Sequence, residues 1–356
     1  MILTREMGTV LPDTTMSSPV YMDVKQAPFK VYGFSEPFRR LPADVAEATS
    51  QNVARISRMA TGGRIRFCTN SDFIVVHGDY DLAETSPHIN TGAARGFDIY
   101  FTQNGKQRFQ GIISGSQGEG KNYVEGRVRF DDDMKEVTIY LPILTSYKNI
   151  YIGLREGCEL SEAGEYKYEK PVVFYGSSIV HGYGVSRAGM IYTNVLSRRL
   201  DTNYINLGFG GAAKAEKAIM EYIAGFDMSV FVYDYDHNAP TPEYLEQTHY
   251  AGYKIFREKH PTTPVIFATK VDYGIETKIF GDLTMHDMRE CRKIIKANYA
   301  RAKAEGDENV YLVDGSEIFP DDLRDDCTVD TCHPNDLGYQ CMADAFEKII
   351  RPILEK

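Results

Sequence analysis

The hydrophobic pattern of this 356-residue chain changes its period at Pro171. From about residue 31 to 155 apolar side chains recur at every second position. Ile65 and Phe67 alternate with Arg64 and Arg66, and Val137, Ile139 and Leu141 alternate with Thr138 and Tyr140. Ile150, Ile152 and Leu154 follow the same rule. A period of two belongs to strands with one covered face, and the clusters TGG at 61, NGK at 104 and DDD at 131 supply turns between them. Many short strands at this spacing predict a β-sandwich of jelly-roll type.

Past Pro171, short apolar runs at 172–175, 204–208, 228–234, 264–269 and 309–313 alternate with segments of helical period. In the segment 284–305, Met288, Cys291, Ile295 and Ala302 share a face that excludes Arg289, Arg292, Lys293 and Lys296. In the last segment, from Asp336, the positions Met342, Phe346 and Ile349 or Ile350 turn inward. Five strands interleaved with helices predict an α/β unit, a doubly wound parallel sheet with right-handed crossovers. The expected strand order is the flavodoxin-like 2-1-3-4-5, which puts the first strand at the switch point.

A mass of 40.2 kDa also favours two domains. We place an N-terminal β-sandwich domain at 1–165, with an extended arm at 1–30, and an α/β domain at 171–356. The polar, turn-rich stretch 156–170 reads as a linker. A net charge of −10 without a local basic stripe argues against nucleic-acid partners. No run approaches 18 apolar residues, and the N-terminus carries an acidic residue and a proline where a signal peptide needs an apolar core, so no membrane partner and a cytoplasmic location are expected. The six cysteines lack CxxC spacing and read as reduced core residues. Cys327, Cys332 and His333 offer too few spaced ligands for a closed zinc site, and no metal is expected. A homo-oligomer is compatible with the chain.

Chemistry is expected where the first parallel strand stops. Val172 to Tyr175 end at Gly176, leaving Ser177 and Ser178 at the carboxyl end of the strand, where ligands collect in open α/β sheets. Far downstream, VDTCHPNDLGY sets Asp330 and His333 three apart just before a helical segment. A serine hydroxyl needs an imidazole to take its proton, and the imidazole needs an acceptor to fix its tautomer. Ser178, His333 and Asp330 supply those three groups. Two further stretches follow strands of the same sheet and offer donors for a developing oxyanion: the glycine cluster of INLGFGGAAKAE and Asn238 in YDYDHNAPTPEYL.

Taken together, GSSI and DxxHPN resemble the SGNH/GDSL hydrolases, in which the nucleophile ends a Gly-Asp-Ser-Leu type block and the Asp and His come from a C-terminal Asp-x-x-His. A branch with a Gly-x-Ser-Ile block is more similar still. Ser177 stands where the block usually has Asp, and Ile179 stands for Leu. By position the nucleophile is then Ser178. The resemblance implies a serine esterase with catalytic Ser178, Asp330 and His333, an oxyanion hole of Ser178, Gly211 and Asn238, and no cofactor. It implies small acyl esters as substrate. An attached sandwich suggests acetylated carbohydrate by analogy of fold alone. Residues 30–155 resemble the small all-β domain named for a Gly-x-Asp-Leu-Tyr signature, through GFDIY at 96–100, RLP at 40–42 and GGRIRF at 62–67. Asp98 in that signature reads either as a binding residue or as a polar group bonded locally.

Other readings stay open at this level. Gly208-x-Gly210-x-x-Ala213 fits a dinucleotide fingerprint with Asp227 downstream, although it follows the second strand rather than the first. The chain could also hydrolyse lipid-like esters, or serve as a sugar-binding scaffold without chemistry. His181 and His237 are rival bases, and Asp234, Asp236 and Asp314 are rival carboxylates. Asn238 or Thr241 could simply cap the helix that opens at Pro242.

Overall fold

The computed structural model describes residues 1–115, 120–272, 274, 279–280 and 283–356. It folds as two compact units, one of residues 1–40, 58–166 and 186–189 and the other of residues 41–57, 167–185 and 190–356.

The first unit holds two antiparallel sheets. One has the order Val20–Asp23, Thr145–Leu154, Phe73–Ala83, Tyr123–Arg129; the other runs Leu160–Ser161, Arg64–Thr69, Lys135–Tyr140, Phe97–Gln103, Lys106–Ile113, with Lys30–Tyr32 paired to Arg64–Thr69. Ile74, Val76, Ile150 and Ile152 from the first meet Ile65, Phe67, Ile99 and Ile139 from the second in one core, each at 0 % exposure. This is the sandwich that the period-two alternation predicts.

Three features of this unit differ from what the local pattern suggests. The outward positions of Arg64–Thr69 are covered too, with Arg64 at 0 % and Arg66 at 2 % exposure. Their cover is the stretch read as a linker: Arg64 Nε donates to Tyr166 Oη at 3.2 Å, and the Arg66 guanidinium lies 4.2 Å from the centre of the Tyr166 ring. A ring with a hydroxyl tip can cover two cations that an apolar side chain would leave unsolvated. Residues 1–30 are not a loose arm, because Val20–Asp23 adds an edge strand to Thr145–Leu154 and Leu3 N–H donates to Cys158 O at 2.9 Å. Asp98 finds partners far along the chain: fully buried, it accepts from Arg187 Nη1 at 2.9 Å and Gly189 N–H at 2.8 Å, and so pins residues 186–189 to the sandwich.

The N-terminal stretch is further fastened at a buried imidazole. Glu125 accepts from Thr14 Oγ1 at 2.6 Å, Thr15 N–H at 2.9 Å, Thr15 Oγ1 at 2.6 Å and Tyr21 Oη at 2.8 Å. His77 lies between Glu125 Oε1 and Asp79 Oδ1, each 3.1 Å from a ring nitrogen. Burial opposes a charge on this ring, but the two carboxylates outweigh it and hold its pKa above 6.5. A raised folded value contributes stability that is complete below the unfolded value and is lost as pH rises through the folded one. Wild type is therefore expected to exceed His77→Gln in unfolding free energy from urea titration at mildly acidic pH, by about 1 to 2 kcal/mol. The difference should shrink on the alkaline side; a constant or growing difference would contradict this.

The second unit is a five-stranded parallel sheet: β1 (Tyr168–Gly176), β2 (Thr202–Gly208), β3 (Val230–Asp234), β4 (Val265–Ala268) and β5 (Val310–Val313). Its order is 2-1-3-4-5, as the alternation of strand and helix predicts. The helices are α1 (Ser178–His181), α2 (Tyr192–Leu200), α3 (Lys217–Ile223), α4 (Pro242–Lys259), α5 (Met285–Ala304) and α6 (Asp336–Leu354). Met288, Cys291, Ile295 and Ala302 are the buried face of α5, and Met342, Phe346 and Ile350, rather than Ile349, that of α6. Each large side chain so covered contributes about 1.5 to 3 kcal/mol. Two short helices, Ala43–Thr49 and Gln51–Ile56, also belong to this unit, the former packing on α3. The division between the two units falls within RLP at 40–42, between Arg40 and Leu41.

Candidate active site

The second half of β1 is apolar and sealed, with Val172 to Tyr175 at 1 % exposure or less. Its last residue is glycine for a steric reason: a Cβ at Gly176 would lie 2.0 Å from Asp234 O on β3. The next two residues take different roles. Ser177 is fully buried in extended backbone and caps α1, its Oγ accepting from Ile179 N–H at 3.2 Å. Ser178 opens α1, where a backbone N–H has no acceptor within the helix. Its half-buried Oγ stands 2.9 Å from His333 Nε2. The turn after it is stapled from α6: the Tyr339 hydroxyl is shared between Ile179 O and Tyr183 O, at 2.8 Å from each.

The loop that brings His333 is held closed at its base. Asn335 N–H donates to Cys327 O and Val329 N–H to His333 O, each at 2.9 Å, while the Asn335 side chain caps α6 by accepting from Gly338 N–H at 3.1 Å. Gly184, at φ +93°, makes room for this loop, since a Cβ there would lie 2.3 Å from Pro334 O. Within the loop Asp330 works with both oxygens. Oδ1 accepts from Cys332 N–H at 3.0 Å and His333 N–H at 2.7 Å, and Oδ2 faces His333 Nδ1 at 2.7 Å. Burial alone would raise the Asp330 pKa, but these donors outweigh it and hold the carboxyl below its ordinary value of 3.8. A carboxylate fixed on Nδ1 leaves Nε2 as an acceptor, facing the serine.

The two oxyanion candidates prove to be bonded to each other. Gly211, at φ +69°, donates its N–H to Asn238 Oδ1 at 3.2 Å, and Asn238 Nδ2 donates to Phe209 O at 3.0 Å. Flipping the amide would set donor against donor and acceptor against acceptor, so these two partners fix its orientation. A Cβ at Gly211 would meet nothing within 4 Å, whereas one at Gly210 would lie 3.2 Å from Ser178 Cβ. Thr241, not Asn238, caps α4, accepting from Tyr244 N–H at 3.2 Å.

The rival groups sit in other surroundings. Asp314 accepts from Ser316 N–H at 3.0 Å and Ser316 Oγ at 2.7 Å and pairs with Lys296. Asp236 accepts from Lys270 N–H at 2.8 Å, and burial pushes its pKa up to about 6. Asp234 is pushed up by burial and by Asp236. Burial, with Lys270 and His333, pushes His237 well below 6.5. His181 is buried against the Tyr183 ring, 5.3 Å between centroids. The glycine cluster also makes a poor pyrophosphate cradle. Its Gly208 N–H donates to Asn206 Oδ1, its Phe209 N–H to Gly176 O and its Ala212 and Ala213 N–H to Phe209 O. Asp227 pairs with Lys170. The residue that local pattern did not single out is Tyr183, whose ring lies 5.5 Å from that of His333 and beside Gly210. Among the described residues no group of three or more His, Cys, Asp or Glu is placed to hold a metal, and no helix is long and apolar enough to cross a membrane.

Comparison with known proteins adds to this geometry. The model of the GDSL-like Lipase/Acylhydrolase family matches residues 169–351, and that of the N-terminus of Esterase_SGNH_hydro-type matches residues 20–160. No curated protein matches. Among solved structures, a protein described as a GDSL-like lipase, from Bacteroides ovatus ATCC 8483, is 27% identical with a TM-score of 0.83, covering 94% of this chain and 98% of that one. The salicylyl-acyltransferase SsfX3 from a tetracycline biosynthetic pathway is 17% identical with a TM-score of 0.75, covering 95% and 98%. A family two carbohydrate esterase from Clostridium thermocellum, in complex with cellohexaose, is 13% identical with a TM-score of 0.56, covering 83% and 93%. At these identities the last two share the fold.

Proposed function

Because the chain belongs to the GDSL-like lipase/acylhydrolase family, a family of carboxylic ester hydrolases, we propose that Ser178, His333 and Asp330 are its catalytic triad. The observation that carries this is the pair of bonds on one imidazole, Ser178 Oγ to Nε2 at 2.9 Å and Asp330 Oδ2 to Nδ1 at 2.7 Å. Ser178 Oγ attacks the ester carbonyl as its proton passes to His333 Nε2. The oxyanion is met by the backbone N–H groups of Ser178 and Gly211 and by Asn238 Nδ2. The Gly211 N–H already has a neutral acceptor at 3.2 Å, but a developing oxyanion is the stronger acceptor and can share it. His333 then gives its proton to the leaving alcohol, and water repeats the cycle on the acyl-enzyme. Asp330 stays ionised throughout, consistent with its lowered pKa.

We read the substrate as a small acyl ester, acetyl above all, of a carbohydrate or similar alcohol. Membership of an acylhydrolase family supports an acyl ester, and the acyl-length series below tests how short the acyl group is. The fold shared with a carbohydrate esterase supports the sugar. The test is incubation with p-nitrophenyl acetate, butyrate and octanoate, then acetylated sugars, with an alkylphosphonate ester to trap the nucleophile for peptide mass spectrometry. Label on Ser178 and kcat/KM falling with acyl length are expected; label elsewhere, or a preference for octanoate, would contradict the triad or the substrate respectively. Asn238→Ala should lower kcat by about 10²- to 10³-fold with little change in KM.

A further inference from the structure

After β2 the chain runs from Phe209 to Glu216 without regular structure, and this stretch carries Gly211. Such a loop is as precise as the bonds that hold it. Asn238 holds its first half. The second half is held by two tyrosine hydroxyls: Tyr244 Oη donates to Lys214 O at 2.9 Å, and Tyr175 Oη accepts from Ala215 N–H at 2.8 Å. Ala215 sits at φ +56°, a left-handed conformation that an alanine keeps only under constraint.

Tyr175 is the unexpected member of this set. It lies on β1 one residue before Gly176, fully buried, in a run whose other members are Val172, Val173 and Phe174. Its ring stacks on Tyr233, 6.2 Å between centroids, and lies 6.5 Å from Phe209, packing that a phenylalanine would reproduce. What phenylalanine lacks is the oxygen that accepts from Ala215. The strand that presents Ser178 is thereby bonded directly to the loop that presents Gly211.

We propose that Tyr175 is a positioning residue of the esterase, fixing the Gly211 N–H relative to Ser178 Oγ, with Tyr244 as a second tether. This rests on the serine-esterase reading above. Loss of the Tyr175 hydroxyl leaves a buried N–H unsatisfied and lets the loop drift, and small misplacements at a reacting centre are costly. The transition state should feel this more than the ground state.

The test compares Tyr175→Phe, Tyr244→Phe and, as control, Tyr233→Phe, whose hydroxyl lies against Gly252 and not against the loop. For Tyr175→Phe, kcat on p-nitrophenyl acetate is expected to fall about tenfold with KM within about twofold, and phosphonate labelling of Ser178 to slow by the same factor. Tyr244→Phe, half-buried and less disruptive, should show the same split at about threefold, which keeps the test alive should Tyr175→Phe fold poorly. Unchanged kcat and labelling in both tether variants, or an equal loss in Tyr233→Phe, would overturn the positioning role. Absence of any Ser178 label in wild type would bring down the esterase reading and this role with it.

Discussion

Ser178→Ala is expected to reduce turnover of p-nitrophenyl acetate by about 10⁴- to 10⁶-fold, to the level that binding and the oxyanion donors alone sustain. The variant removes one half-buried oxygen whose partner is His333, and it leaves the cap of α1 intact because that cap is Ser177. It should therefore fold like wild type. Ser177→Ala makes the reverse comparison. It deletes the acceptor for Ile179 N–H and should cost about 1 kcal/mol of stability, while turnover falls by less than about tenfold. Thermal midpoints beside kcat separate the two. An inactive Ser177→Ala with an active Ser178→Ala would invert the roles proposed here.

Asp330→Asn is expected to lower kcat by on the order of 10⁴ with little change in KM. The carboxylate accepts from two backbone N–H groups through Oδ1 and from the imidazole through Oδ2. An asparagine can keep Oδ1 on the two N–H groups, but its amide then points a donor at Nδ1. The ring answers by carrying its proton on Nε2, and that nitrogen can no longer take the proton of Ser178. The loop should survive, so the defect is one of tautomer and not of folding. Asp330→Ala, by contrast, strands both N–H groups and should lose thermal stability as well. Comparable kcat for wild type and Asp330→Asn would remove Asp330 from the proposed triad.

Periodicity carried most of the fold. Each of the five parallel strands and the helices α5 and α6 has an apolar repeat of its own, so a reader of the chain can see them one at a time. The strand order follows from few rules of connection. Motif spacing likewise singles out Ser178, Asp330 and His333, which the folded chain brings within hydrogen-bond distance. What could not be seen was whatever depends on a distant partner. Arg64 and Arg66 look like a solvated face until Tyr166 covers them. Asp98 looks local until Arg187 reaches it from 89 positions away. Gly211 and Asn238 looked like two independent donors, and only the folded chain bonds one to the other. Tyr175 looked like one more apolar residue in a buried strand, because a hydroxyl that finds its partner 40 positions later leaves no local trace.

The bond between Ser178 and His333 closes a span of 155 residues. During synthesis the serine leaves the ribosome long before the loop that carries His333. On the proposed triad, the hydroxyl stays an ordinary alcohol until α6 docks and Tyr339 reaches the turn after Ser178. Recovery of hydrolysis after dilution from denaturant should accordingly lag behind the return of helical circular dichroism, making esterase activity a late reporter of α/β assembly.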